Sequence, residues 1–178
     1  MLKNFCFALS LLMCLSATTV FAQKKNNVAV VKQQVTQIQK SVANLHSKEL
    51  DLNGISTEGA GTKAFYDNGK IKKVEAQIFG ETGKTEMQFF YQNGQLIFVN
   101  EKESSYAKPF GKIVKTMPRQ FYFSDGKLIR LFVNNKIVSS TNPEFVNQEK
   151  RVLELSTKIV ENFQESANHY KDAFKKPE

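Results

Sequence analysis

Three short stretches constrain this chain more than any others: FYDNGKI at 65–71, FYQNGQL at 90–96 and FYFSDGKL at 121–128. Asn-Gly or Asp-Gly between apolar residues supplies the two positive φ angles of a type I′ turn, whose twist matches that of the strands it joins. A two-residue loop also sets the register of its hairpin, because the residues flanking it must face each other. Tyr66 is therefore expected opposite Ile71, Tyr91 opposite Leu96 and Phe123 opposite Leu128, the same aromatic–aliphatic cross-strand pair at every tip.

Around these tips the hydrophobic period is that of strands. Six are expected, at about 62–67, 70–79, 84–92, 95–102, 119–124 and 127–133, and their short connections imply an antiparallel meander. GETGKT at 80–85 invites a phosphate-loop reading, but the first glycine of G-x-x-x-x-G-K-[ST] would have to stand at Ile78. Thr85, Met87, Phe89 and Tyr91 then alternate with Glu86, Gln88, Phe90 and Gln92, which is a strand and not the helix that a phosphate loop opens. The stretch reads as a hairpin turn with Lys84 on a solvated strand. The longer segment 101–118 is expected to be irregular, since Pro109 and Pro118 interrupt any central strand.

Helical periodicity brackets the strands. Val28, Val31, Val35, Ile38, Val42 and Leu45 recur at intervals of three and four, placing a helix at about 27–49. Near the other end TNPE offers Thr141 as N-cap, Pro143 in the first turn and Glu144 to close a capping box. Phe145, Val152, Leu155, Ile159, Phe163, Ala167, Tyr170 and Phe174 then trace a stripe along a helix at about 142–175. The expected fold is α+β: an antiparallel β-meander of about six strands with the N-terminal and the C-terminal helix covering one face.

The first 22 residues read as a signal peptide: Lys3, an apolar run from 5 to about 15, then Val20 and Ala22 at the spacing a signal peptidase recognises. The apolar run is shorter than the ~20 residues of a transmembrane span. Cys14 offers a lipoprotein reading, against which stands the bulk of Met13. Cleavage after Ala22 leaves a single domain at 23–178, exported to the periplasm or beyond. It would contain no cysteine, because both, Cys6 and Cys14, precede the cut, which excludes disulfides, thiol nucleophiles and thiolate metal sites. It would carry 24 basic against 17 acidic residues. That surplus favours anionic partners, with nucleic acid unexpected behind an export signal.

Patterns for chemistry are sparse. His46 and His169 fall on separate predicted helices with no second ligand at the spacing of a metal site. DLNG at 51–54 lacks the remaining ligands of a calcium loop and reads as a turn ending the first helix. No nucleophile elbow or cofactor-binding pattern is present. Glu101 and Glu103 alternate onto one face and read either as a carboxylate pair or as ordinary strand-end charges. In the same segment Tyr106 and Phe110 stand among Lys102, Lys108, Lys112, Lys115 and Arg119. These seven form the candidate partner site, with a simple cover over one end of the core as the competing reading.

FYDNGKI, FYQNGQL and FYFSDGKL together resemble the Y-x-N-G-K-L hairpin repeats of MORN-variant proteins, and the stretch 62–102 resembles exported bacterial proteins of unassigned function. The resemblance implies a β-meander scaffold and brings no catalytic residue. The repeat glycines Gly69, Gly94 and Gly126 are 25 and 32 residues apart, which argues against a regular solenoid. The function expected is a non-catalytic envelope protein, without cofactor, binding an anionic component or a protein partner. The alternatives are a structural factor dimerising through the seam at 28–45 and, more distantly, a hydrolase using Glu101 and Glu103.

Overall fold

The computed structural model describes the backbone over residues 17–52 and 54–173, and side-chain surroundings over 27–52 and 54–167. Eight strands form one open antiparallel sheet in the order of the chain: β1 (His46–Asp51), β2 (Ala60–Asp67), β3 (Lys70–Gly80), β4 (Gly83–Gln92), β5 (Gln95–Tyr106), β6 (Ile113–Ser124), β7 (Lys127–Val133) and β8 (Lys136–Val138). All three expected tip pairs are present: Tyr66 faces Ile71, Tyr91 faces Leu96 and Phe123 faces Leu128. Asn68, Gly69, Asn93, Gly94, Asp125 and Gly126 all have positive φ, as type I′ turns require. A fourth tip of the same kind, Asn134-Asn135 with φ 49° and 64°, joins β7 to β8. Asparagine tolerates this conformation nearly as glycine does, so VNNK was the signal for the strand that the sequence reading omitted.

Each Asn-Gly or Asp-Gly tip is followed by a bulge. Phe65 pairs with Lys73 while Tyr66 pairs with Ile71, and the same shift recurs beside Phe90–Phe98 and beside Tyr122–Arg130. One extra residue on the outgoing strand reverses the alternation there. Ile97 and Phe98, neighbours in sequence, consequently enter the same core.

The helices do not share a face. α2 (Pro143–Ala173) lies over Val74, Met87, Phe89, Tyr91, Val99, Phe121, Phe123 and Leu131, into which it sends Phe145, Val152, Ile159 and Phe163. α1 (Ala17–Ser41) lies on the opposite side, where Val31 and Ile38 are buried with Phe90, Ile97, Phe98 and Tyr122. The expectation of two helices on one side is thus corrected to three layers, helix, sheet and helix. Its cause is legible in FFY, LIFV and FYF, where apolar residues are consecutive and not alternating, as in strands buried on both faces. The stripe of α1 packs on the sheet of its own chain. Lys73, on the α1 side, is 1% exposed, its ammonium 2.7 Å from Glu75 Oε1 and 3.0 Å from Gln39 Oε1, between the rings of Phe65 and Phe90. Cation–π attraction and the two oxygens replace its lost water.

Other boundaries also differ. The first helix ends at Ser41, is followed by a single 3-10 turn (Val42–Asn44), and gives way to β1, so His46 starts a strand and Asp51, the first residue of DLNG, ends it. Lys48, Leu50 and Leu52 alternate there, with Leu50 and Leu52 meeting the α2 core, and this overrides the helical spacing of Val42 and Leu45. At α2 the cap is Asn142, whose Oδ1 accepts from the Glu144 N–H at 2.9 Å. Thr141 instead hydrogen-bonds Ser139, so the expected Thr141–Glu144 box is absent. The segment 101–118 is regular: β5 and β6 run twelve residues each and leave only 107–112 as loop. Pro118 is tolerated because its ring nitrogen faces the side where β7 has ended and where its carbonyl accepts from Asn134 N–H at 2.9 Å. The stripe positions Tyr170 and Phe174 lie outside the residues whose side chains are described, and the expected export segment falls largely on 1–16, outside the described residues.

Candidate functional site

The sheet has two unlike ends. The Asn-Gly and Asp-Gly tips lie at one, and at the other stand the β3–β4 turn and the 107–112 loop. GETGKT is the hairpin turn expected of it: Gly80 pairs with Gly83. Gly83 is required by close approach, because a Cβ there would overlap the Ser104 carbonyl of β5. Lys84 sits on β4 with its ammonium 3.1 Å from Glu86 Oε1. The hydrogen bond from Lys84 and then the nearby Lys102 ammonium hold the Glu86 carboxyl below its ordinary range.

The 107–112 loop is docked on that turn. Phe110 N–H donates to the Glu81 carbonyl at 2.9 Å and Tyr106 N–H to the Thr82 carbonyl at 2.8 Å. Ala107 N–H to Lys112 O and Gly111 N–H to Lys108 O, both 2.9 Å, close the loop on itself. At its apex Phe110 has φ +55° and is 68% exposed. A bulky side chain in this region is disfavoured by about 1–2 kcal/mol. The backbone thus holds an aromatic ring outward against its own preference. Beside it Val114, the extra residue of a bulge opposite Tyr106, is 66% exposed, and Ile113 and Phe79 also stand in solvent. These four apolar side chains belong to neither core.

The seven candidate residues separate into two groups. Lys108, Phe110, Lys112 and Lys115 are exposed at this end and Tyr106 is half-buried beside them. Lys108, Lys112 and Lys115 form no ion pair with any described residue. Lys102 lies farther along β5, its Nζ 3.2 Å from Glu86 Oε2. Arg119 is removed from the site altogether. It faces α2, where Nη1 donates to Glu101 Oε1 at 2.6 Å and Glu103 Oε2 at 2.5 Å, and Glu101 Oε2 accepts from Arg151 Nη2 at 2.6 Å. Burial opposes the Arg119 charge, but Glu103 and Glu101 outweigh it and raise its pKa. Glu101 and Glu103 are therefore ion-paired groups pinning β5, β6 and α2 together. Phe79, Ile113 and Val114 were missed as site residues. Their signal was FGETG and FGKIV, apolar residues next to turn glycines, which strand alternation alone reads as core.

Among the described residues no three His, Cys, Asp or Glu side chains gather as a metal site, and no helix is long and apolar enough to cross a membrane. Comparison of the chain with protein-family models, with curated proteins and with solved structures finds no match.

Proposed function

We propose that this chain is an exported, non-catalytic binding protein that takes an anionic component of the cell envelope at the end of the sheet formed by the β3–β4 turn and the 107–112 loop. The observation that carries this reading is Phe110, held exposed at positive φ on a loop tied down by backbone hydrogen bonds and flanked by three lysines that form no ion pair among the described residues. Unpaired lysines supply long-range attraction and the apolar tip supplies contact, on a rigid scaffold where recognition usually sits. The binding reading is favoured over hydrolysis because both carboxylates of the one candidate pair are committed to arginine. Cleavage after Ala22 would be compatible with the fold, since it would keep Val28, Val31, Val35 and Ile38, the described α1 side chains packed on the sheet.

The test is retention of the purified protein on immobilised anionic envelope lipids and polymers during a salt gradient. Retention is expected at low ionic strength and release as the Debye length shrinks toward ~3 Å near 1 M salt. The triple substitution Lys108→Gln, Lys112→Gln, Lys115→Gln should abolish retention with an unchanged melting temperature. Retention equal in the variant would place the site elsewhere.

A further inference from the structure

Resting on that reading of the sheet end, we propose that its occupant is a lipid bilayer surface bearing anionic headgroups. Phe110, Ile113 and Val114 enter the boundary between headgroups and acyl chains, while Lys108, Lys112 and Lys115 meet the headgroups.

The choice of a bilayer follows from what this tip offers and what it lacks. Its exposed apolar groups, Phe110 at 68% on the loop and Val114 at 66% and Ile113 at 47% at the start of β6, have side chains without hydrogen-bonding atoms. Such a surface suits a liquid-like apolar phase that needs no complementary shape. The cations are all lysines, each a hydrated point charge suited to headgroups. Protein interfaces favour arginine and disfavour lysine, and the one arginine of the segment, Arg119, is buried against Glu101 and Glu103. Glu81 is the sole acidic residue of the two turns, against Lys108 and Lys112.

The remaining rival is an extended peptide pairing with β6 beyond the end of β7. That edge is blunted by Pro118, by the bulge at Val114 and by Lys115, three of the features that keep edge strands from recruiting another strand. The loop itself is pre-organised by four backbone hydrogen bonds, so little ordering opposes insertion.

The full chain is sedimented with vesicles of phosphatidylcholine alone and with phosphatidylglycerol added. Binding is expected to the second only and to weaken with salt. Neutralising Lys108, Lys112 and Lys115 to Gln should reduce partitioning about a hundredfold, at roughly fivefold per lysine. Phe110→Gly relieves the positive φ, so it should keep or raise the melting temperature while lowering partitioning at least about tenfold. Because the chain has no tryptophan, Phe110→Trp reports directly, and its emission should shift to the blue on anionic vesicles. Soluble polyglutamate, which has the charge but no bilayer, is the comparison. Lysine-dependent binding to polyglutamate without binding to vesicles would overturn the bilayer proposal and leave the anionic-site reading intact. Equal binding to both vesicle types would also overturn it, and binding to neither probe would overturn both readings.

Discussion

Arg119 faces Glu101 across β5 and β6 with 2.6 Å between Nη1 and Oε1, and Glu101 is 1% exposed. A buried ion pair is neutral overall in stability, yet breaking it by removing one partner costs about 3–5 kcal/mol. Glu101→Leu, which leaves the largely buried Arg119 with Glu103 alone, should therefore destabilise by about 3 kcal/mol. Glu101→Leu combined with Arg119→Met should return to within about 1 kcal/mol of the parent, because Glu103 and Arg151 are exposed enough to find water. Urea unfolding of the three proteins checks this; equal loss in the single and double variants would refute it.

Gly83 and Gly69 test two different reasons for glycine. Gly69 has φ +75° and open space around its Cβ position, whereas a Cβ on Gly83 would run into the Ser104 carbonyl. Gly69→Ala should lower stability by about 1 kcal/mol through backbone strain. Gly83→Ala must separate β4 from β5 and should cost more, about 2 kcal/mol or above. Thermal unfolding measures both, and a milder effect at Gly83 would contradict the close approach.

Tyr91 should make the fold sensitive to alkali. Burial pushes its phenol well above the ordinary value of 10.0, despite the hydrogen bond to Ser156 at 2.9 Å. The folded state holds this proton more tightly than the unfolded state. Stability is therefore full below about pH 10 and falls as pH rises beyond it, when only the unfolded chain loses the proton. Tyr91→Phe should flatten that alkaline limb while costing about 1–2 kcal/mol at neutral pH through the unpartnered Ser156 hydroxyl. Tm measured from pH 7 to 11 gives both numbers.

Lys84→Ala should change stability by less than about 1 kcal/mol, since its partner Glu86 is half-exposed. No saturable ATP binding is expected from GETGKT, whose glycines close a hairpin. Nucleotide binding lost in this variant would reverse the assignment.

How legible each part was depended on how far apart the deciding residues stand. Asn68-Gly69 and its counterparts dictate a turn through the φ preferences of two adjacent residues, and the facing of Tyr66 on Ile71 follows without reference to the rest of the chain. Asn134-Asn135 carried the same chemistry and was legible in principle. Of the site, Phe110 and its lysines were visible as composition. The departure of Arg119 was not, because its direction follows from strand alternation through a segment that Pro109 and Pro118 made look irregular.

Turn type, hairpin register and the helical stripes from Val28 to Ile38 and from Phe145 to Phe163 were thus set by local sequence, where steric preferences and periodicity act between neighbours. Tertiary structure decided which face each helix covers, that His46–Asp51 joins the sheet, and that Pro118 can lie in a strand. Each depends on distant partners: rows of side chains from several strands make both faces apolar, β2 supplies hydrogen bonds to β1, and the early end of β7 frees the edge where proline needs no donor. The exposure of Phe110 is of the same kind, because the carbonyl of Glu81, on another hairpin, accepts the N–H that holds the loop in place.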